Sequence, residues 1–216
     1  MSRKASNKHR RPTLLIIVYS LIIGLCMALA VGFASVQEQR SIASKIVRLH
    51  VIPNSNSSED QALKKIVRDD VTKRVSALLR DVSDIGAAEI ILRDNIKDIE
   101  KSVREIVLRE GYTYTVCAEI CDEMYSTREY DTFTLPAGKY QSLRITIGSG
   151  KGENWWCVVF PPLCFTGAVE FQESAEAAGL SESEIKLISG RDEEGVVFRF
   201  QILELIKRIS DFLKIS

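Results

Sequence analysis

This sequence has few histidines and no excess of charge of either sign. Its 216 residues include two histidines, His9 and His50, and its 29 basic side chains balance 29 acidic ones. Without a basic surplus the chain lacks the electrostatic footprint of nucleic-acid-binding proteins, so we expect no DNA or RNA partner. A zinc site would need more histidine and cysteine ligands than this, and we expect neither a metal nor a cofactor.

Acidic residues are absent from the N-terminal segment 1–36, whose charged side chains are all basic: Arg3, Lys4, Lys8, Arg10 and Arg11. An uncharged, strongly apolar run follows from Leu14 to Val36, and about 20 such residues span a bilayer. Positive charge before the run keeps that end cytoplasmic and sends the rest of the chain outward. We therefore interpret 1–36 as a signal peptide or, if uncleaved, as a membrane anchor through residues 14–36; both alternatives stay open.

The remainder of the chain alternates between strand and helix patterns. Residues 37–45 are polar and predict a short spacer. Residues 46–216 predict one exported α+β domain, with a small, mainly antiparallel sheet packed by two to four helices. Its first expected elements are a strand over 46–52 and a helix capped by Ser58 and Gln61 that reaches Leu79. A second helix, with an apolar stripe over 92–107, ends at Gly111 and is followed by a strand over 112–120 and a connection over 121–134. Near the end of the chain we expect a short helix from Ser181 through Ile188 and an amphipathic helix over 198–212.

The stretch Leu135–Phe165, LPAGKYQSLRITIGSGKGENWWCVVFPPLCF, carries the densest structural signals. It contains an alternating run up to Ile147, a glycine-rich break, and an apolar run ending at Phe160 that is too short for a helix. We interpret these as two strands of a hairpin. Adjacent strand residues point to opposite faces, so one of Trp155 and Trp156 is expected to pack inside. The other is then free for a protein partner or covered by a helix.

Two cysteines in the same stretch allow a disulfide. Cys157 and Cys164 flank two prolines, and a turn there would bring the thiols within bonding distance in the oxidising surroundings of an exported protein. The alternative is that both are buried thiols packed as small hydrophobic side chains. Cys117 and Cys121 share one face of a predicted strand, without further ligands for a metal.

Several tracts together resemble one protein family. The most specific is Leu135–Phe165, whose spacing of glycine, tryptophan, cysteine and proline is unusual, and it is joined by Arg48–Ile52, Asn54-Ser55 and Glu59–Lys64. On these residues the chain resembles stage II sporulation protein R, a family of exported signalling proteins of endospore-forming bacteria. Pro53 and Asn56 depart from the family pattern, in which alanine and aspartate are commoner.

The resemblance implies a function. Proteins of this family are made in the forespore and exported to the space between the forespore and mother-cell membranes. There they trigger a membrane-embedded aspartic-type protease, which removes the pro-segment of an early mother-cell sigma factor. We therefore expect an activating ligand of that protease and not an enzyme. Candidates for the contact are residues that match the family tracts without an evident structural need: His50, Asn54, Arg144, Lys151, Asn154 and Trp155.

Two alternatives belong to other classes. The first is an exported cell-envelope enzyme, such as a hydrolase that uses His50 with a carboxylate such as Glu119 or Asp131. A pocket that places His50 against a carboxylate would favour this enzyme, and a covered strand would exclude it. The second is a passive module that binds peptidoglycan or lipid without changing the activity of a protease.

Overall fold

The computed structural model describes residues 10–163 and 168–189, which form six helices and six strands. The helices are α1 (Arg10–Ala43), α2 (Ser58–Leu78), α3 (Ile85–Asp94), α4 (Ile96–Arg109), α5 (Ala168–Ala177) and α6 (Glu182–Ile188). The strands are β1 (Val47–Ile52), β2 (Val116–Tyr125), β3 (Arg128–Glu129), β4 (Thr134–Leu135), β5 (Gly138–Ile147) and β6 (Trp155–Phe160). The chain divides into two units after Glu38.

Helix α1 contains the apolar segment predicted from the sequence. Its part Leu15–Ala43 contains an 18-residue window with a mean hydropathy of 2.6 and is long and apolar enough to cross a membrane. Such a helix near the N-terminus is consistent with either a signal peptide or a membrane anchor. The helix continues to Ala43, so most of the predicted spacer 37–45 is helical.

The main sheet is small and mixed. Its strand order is β2-β5-β1-β6, and β3 pairs with β4 in a separate two-stranded sheet. Strand β1 runs parallel to β5, whereas β1 with β6 and β2 with β5 are antiparallel. The predicted α+β class with a mainly antiparallel sheet is confirmed.

The predicted hairpin between β5 and β6 is wrong, because β1 lies between these two strands. Val51 of β1 pairs with Ile145 on one side and with Trp155 on the other. The glycine-rich residues 148–152 cross the end of β1 and hydrogen-bond to the backbone that follows it. Alternation of polarity identifies a strand, but the choice of its neighbour depends on contacts distant in sequence.

One face of the main sheet is covered by α2, α3 and α4, which bury their apolar stripes there. The core on this side includes Leu49, Val51, Leu143 and Ile145 from the sheet and Val67, Val71, Val103 and Val107 from the helices. The predicted helix over 92–107 is in fact two helices, α3 and α4, separated at Asn95, whose side-chain amide donates to the carbonyl of Ile91. An asparagine that bonds its own backbone competes with the helix, and periodicity does not report this.

Two further element boundaries differ from the sequence predictions, and one predicted helix cap is confirmed. Helix α2 is capped by Ser57, not by Ser58, since the Ser57 hydroxyl accepts from the Asp60 amide. Strand β2 runs through Tyr125 and so includes part of the connection predicted over 121–134. The capping box of Ser181 with Glu184 is confirmed at the start of α6. The predicted helix over 198–212 lies outside the described residues.

Candidate functional site

The second face of the main sheet carries charged side chains on three neighbouring strands. The register of the strands places Glu119 of β2 opposite Arg144 of β5, and it places Arg144 opposite His50 of β1. Directly opposite residues share a face, so alternation in each strand brings these groups together. We call this group of side chains the polar face. It consists of Arg48, His50, Glu119, Cys121, Glu123, Ser142 and Arg144, of which Arg48 and Ser142 are fully buried.

His50 and Glu123 form the central contact of the polar face. His50 Nδ1 lies 3.0 Å from Glu123 Oε2, and the histidine is 8% exposed. An ionised carboxylate only accepts hydrogen bonds, so Nδ1 carries the proton and donates it. Arg144 completes the group, because its Nη1 donates to Glu123 at 3.1 Å and its Nη2 to Glu119 at 2.6 Å.

The ionisation of Glu123 follows from these neighbours. Burial alone would raise the pKa of this carboxyl group. The hydrogen bond and charge of His50, with hydrogen bonds from Ser142 and Tyr125, outweigh that effect and lower the pKa to about 2. Glu123 is therefore a fixed anion at neutral pH, already engaged by several donors.

A fully buried arginine lies beside this group. Arg48 is 0% exposed, and its guanidinium carbon is 3.7 Å from the centroid of the Tyr125 ring. Its Nη2 donates to the Tyr130 hydroxyl at 2.6 Å, whereas Nε and Nη1 have no hydrogen-bond partner in the part of the chain that the structure describes. The guanidinium is thus held mainly by aromatic faces, an interaction available to arginine and poorly reproduced by lysine.

The polar face opens into a pocket of about 260 Å³. Its lining residues are His50, Glu123, Met124, Tyr125, Ser126, Arg128, Asn154 and Trp156. The Trp156 ring stacks on His50, with centroids 5.6 Å apart, and the guanidinium carbon of Arg128 lies 3.6 Å from the Trp156 centroid. Aromatic, cationic and hydrogen-bonding groups therefore converge on one small cavity, which makes it a candidate binding site.

Asn54 and Lys151, two of the predicted contact residues, lie away from the pocket at the crossing of β1 by the glycine-rich loop. The Asn54 side chain accepts from the Ser149 amide at 3.0 Å and donates to Asp60 at 3.0 Å. Its carbonyl accepts from the Lys151 amide at 3.3 Å, and the Lys151 side chain is exposed. Asn54 thus has a structural role that the sequence did not reveal.

The two tryptophans point to opposite faces, as alternation predicts. Trp155 packs against the apolar core on the helix-covered face, with the Arg68 guanidinium carbon 4.3 Å from its ring centroid. Trp156 lies in the pocket on the polar face. Both side chains are half-buried.

Of the six predicted contact residues, only His50 and Asn154 line the pocket, and Arg144 lies next to it.

The carboxylates proposed for a catalytic pair are not the partners of His50. Glu119 is bound by Arg144, and Asp131 is exposed. The partner is Glu123, which the sequence reading missed because it ended the strand at residue 120. Continuing the alternation of Cys117, Glu119 and Cys121 to residues 123 and 125 would have placed Glu123 on the same face.

The cysteines and possible metal ligands can be assigned within the described residues. Cys26, Cys117 and Cys121 are free, and Cys157 is disulfide-bonded. Cys164 lies outside the described residues, so its pairing with Cys157 stays a prediction. In the described part of the chain no cluster of three or more histidine, cysteine, aspartate or glutamate side chains suits a metal ion.

Fold and site together define an α+β domain that follows a helix of the kind found in signal peptides and membrane anchors, with a charged, aromatic pocket on its sheet. Comparison with known proteins then gives the family. The profile of stage II sporulation protein R matches residues 43–170, and this chain belongs to that family. Stage II sporulation protein R of Bacillus subtilis (strain 168) is 32% identical over 171 residues, covering 76% of each chain. No solved structure matches.

Proposed function

We propose that this protein is an exported sporulation signal that activates a membrane-embedded aspartic-type protease, which then processes the pro-form of an early mother-cell sigma factor. Family membership is the observation that carries the proposal, since the family profile covers residues 43–170, most of the exported domain. The apolar helix within α1 supports export of the domain.

Activation of this kind requires binding and no bond-making by the chain itself. A ligand shifts the equilibrium between two states of its partner only by the difference in its affinity for them. The domain would therefore contact the active state of the protease more favourably than the inactive one. The dense pairing of Glu123 with His50, Arg144 and Tyr125 holds the side chains around the pocket in fixed positions, as selective contact with one state of a partner requires.

The contact of His50 with Glu123 in a pocket favours a second candidate, an exported envelope hydrolase. A histidine oriented by a carboxylate is a general-base arrangement. The surrounding groups support this reading less well. His50 Nε2 has no hydroxyl or thiol partner among the described residues, and the Ser142 hydroxyl is bound to Tyr125. Burial also raises the pKa of the Cys121 thiol, which disfavours a reactive thiolate.

The test reconstitutes processing in a non-sporulating cell that makes the membrane protease and the pro-sigma factor. The full chain is added in one arm, and in the other a variant without residues 10–34 keeps the domain in the cytoplasm. We expect cleavage of the pro-sigma factor only with the exported chain, seen as a shift to the mature size on an immunoblot. Stable export without cleavage would overturn the proposal.

The hydrolase candidate has its own test. The full chain, purified in detergent, is incubated with isolated peptidoglycan, and soluble fragments are measured against His50→Gln. Our proposal expects no release with either protein. Release that depends on His50 would establish the enzyme instead.

A further inference from the structure

Two buried atoms at the wall of the pocket have no hydrogen-bond partner among the described residues. They are His50 Nε2 and Asn154 Oδ1, and both are closed to solvent. Because Nδ1 of His50 donates its proton to Glu123, Nε2 of the neutral ring is an acceptor, and so is the amide oxygen of Asn154. A buried acceptor that no donor reaches is costly, and a ligand that donates to it recovers that cost. The pocket therefore favours a ligand that carries hydrogen-bond donors.

The charges around the pocket are balanced, and this disfavours an ionic ligand. Glu123 is the anion at its wall. Its two oxygens already accept hydrogen bonds from His50, Arg144 and Tyr125. The guanidinium of Arg128 lines the same cavity, so a cationic ligand would meet a like charge. A carboxylate would meet Glu123 instead and, since it only accepts hydrogen bonds, would leave both buried acceptors unpaired. A neutral ligand avoids both costs.

Arg128 adds a donor to this pocket. Its guanidinium carbon lies 3.6 Å from the centroid of the Trp156 ring, and in the described part of the chain its side chain forms no hydrogen bond or ion pair. A guanidinium has five N–H groups and no acceptor. The pocket therefore offers two buried acceptors and one donor group whose N–H groups can still pair.

We propose that this pocket binds the primary carboxamide of an asparagine or glutamine side chain in an extracytoplasmic segment of the membrane partner. The inference rests on the proposed function for the identity of the partner, and on the pocket alone for the chemistry. A primary carboxamide is neutral and carries two N–H donors and one carbonyl acceptor. Its N–H groups would donate to His50 Nε2 and Asn154 Oδ1, and its oxygen would accept from Arg128. A hydroxyl group or a backbone amide has one donor and would leave one buried acceptor unpaired.

The size of the cavity suits a single side chain. Its volume of about 260 Å³ lies below the range of about 300–1,000 Å³ typical of sites for drug-sized molecules. A side chain presented by a partner therefore fits this pocket better than a larger free ligand.

Entry of the ligand requires a lining side chain to turn, because both acceptors are closed to solvent. Arg128 can do so, since it is half-buried on the two-residue strand β3 and is held over Trp156 by a cation–π contact. Such a contact is weak at an accessible site. A guanidinium released from the ring can then donate to the carbonyl oxygen of the ligand.

A fluorescence titration tests the chemistry directly. The chain has two tryptophans, and Trp155→Phe leaves Trp156 in the pocket as the single reporter. The full chain in detergent micelles is titrated with N-acetyl-Gly-Gln-Gly-N-methylamide, whose ends carry no primary amide, and with the matching Glu, Lys and N,N-dimethyl-Gln peptides. We expect a saturable change with the Gln peptide and at least about 10-fold weaker binding of the other three, which lack a neutral pair of N–H donors. The chain with both tryptophans should give the same order of affinities.

Three variants assign the binding to this pocket. Asn154→Ala removes one acceptor and should weaken binding of the Gln peptide about 3–10-fold. Asn154→Asp keeps an acceptor oxygen whichever way the amide is turned, and should bind the peptide about as well as the unaltered chain. Lys97→Ala, at an exposed residue of α4, is the control and should leave binding unchanged.

Several results would overturn the proposal. They are equal binding of the Gln peptide and its Glu or dimethylated counterpart, absence of saturable binding, and an equal loss in Asn154→Ala and Lys97→Ala. Tighter binding of the Lys peptide than of the Gln peptide would also overturn it, in favour of a cation site.

The processing assay separates this proposal from the proposed function. With the full chain carrying Asn154→Ala, we expect cleavage to slow about 3–10-fold, while Asn154→Asp and Lys97→Ala support normal cleavage. Normal cleavage with Asn154→Ala would overturn the use of this pocket in signalling and leave the proposed function standing. Absence of cleavage with the unaltered chain would instead count against the proposed function, and the peptide titration would still decide whether the pocket binds a carboxamide.

The side chain of the partner can be located in the same assay. Each asparagine and glutamine of its extracytoplasmic segments is replaced by alanine in turn. We expect one replacement to slow cleavage about as much as Asn154→Ala and to add nothing when the two are combined, because the effects of residues in contact are not additive. Replacements that are all neutral, or all additive with Asn154→Ala, would overturn the assignment of the ligand to the partner.

Discussion

Lys45 Nζ donates to Glu184 Oε2 across 2.7 Å and so links the segment before β1 to helix α6, which lies far along the chain. The Glu184 side chain is 6% exposed. Its other oxygen accepts from the Ser41 hydroxyl at 2.6 Å, and Oε2 also accepts from the Ser181 amide of the capping box. Glu184 therefore serves as a cap within its own helix and as an anchor for a distant segment.

Replacing Glu184 by glutamine should destabilise the domain. The change keeps the size of the side chain but removes the charge that holds Lys45 and the capping amide. We expect the free energy of unfolding to fall by about 1–3 kcal/mol, measured by denaturant titration of the full chain in detergent. The control is Glu182→Gln in the same helix, whose side chain is 81% exposed, so we expect stability to be nearly unchanged. Equal effects would contradict this account.

Stability should depend on pH through two carboxylates. Burial opposes the ionisation of Glu123 and Glu184, but their hydrogen-bond partners outweigh it and hold both pKa values at about 2, below the usual 4.5. A lowered pKa contributes stability above the unfolded value and loses it as pH falls toward the folded value. We expect constant stability from about pH 7 to 5.5 and a decline from about pH 5 to 2. A decline that begins above pH 6 would contradict this, and Glu184→Gln should make the decline shallower.

Gly152 should not tolerate a side chain. A Cβ at this position would lie 2.2 Å from the carbonyl oxygen of Ser55, where the glycine-rich loop crosses the end of β1. We expect Gly152→Ala to lower the free energy of unfolding by about 1–3 kcal/mol through overpacking. Gly86→Ala in α3 is the control. Its Cβ would approach only the Asp84 side chain, and alanine favours the helix. Unchanged stability in Gly152→Ala would contradict the close approach.

Arg48 should be replaced better by methionine than by lysine. Two of its buried guanidinium nitrogens have no hydrogen-bond partner among the described residues, so a hydrophobic side chain of similar length loses little stabilisation. Lysine keeps the buried charge but loses the stacking on Tyr125. We expect Arg48→Met to change stability by less than about 1 kcal/mol and Arg48→Lys to lower it by about 1–3 kcal/mol. The reverse order in thermal unfolding would contradict this.

Peptide mapping without reduction should find Cys157 linked to Cys164. Cys157 is disulfide-bonded, while Cys26, Cys117 and Cys121 are free. A bridge that closes so short a loop stabilises by about 2 kcal/mol, so Cys157→Ser and Cys164→Ser should each lose about that amount. Cys117→Ser is the control and should be neutral. A link between Cys157 and any other cysteine would contradict the pairing.

Local signals explain which parts of the fold could be predicted. The capping box at Ser181, the alternation in β5 and the apolar run of β6 are each encoded within a few residues, and all three elements are present. The break at Asn95 was missed, since the apolar stripe continues across it. At the site, the sequence identified His50 and Arg144 as polar residues of strands, and the structure places both against Glu123. Glu123, Arg128 and Trp156 gather around them only through pairing between strands far apart in sequence.

The sequence by itself determined the apolar segment near the N-terminus, the α+β class, the family, and the opposite orientation of Trp155 and Trp156. These features follow from composition, from the periodicity of apolar residues and from residue spacing, which are local properties of the sequence. The tertiary structure alone decided that β1 lies between β5 and β6 and that His50 meets Glu123. Both depend on which strands become neighbours, and that choice depends on how the whole domain buries its apolar surface. The residue pattern within a single strand does not specify which strands lie beside it.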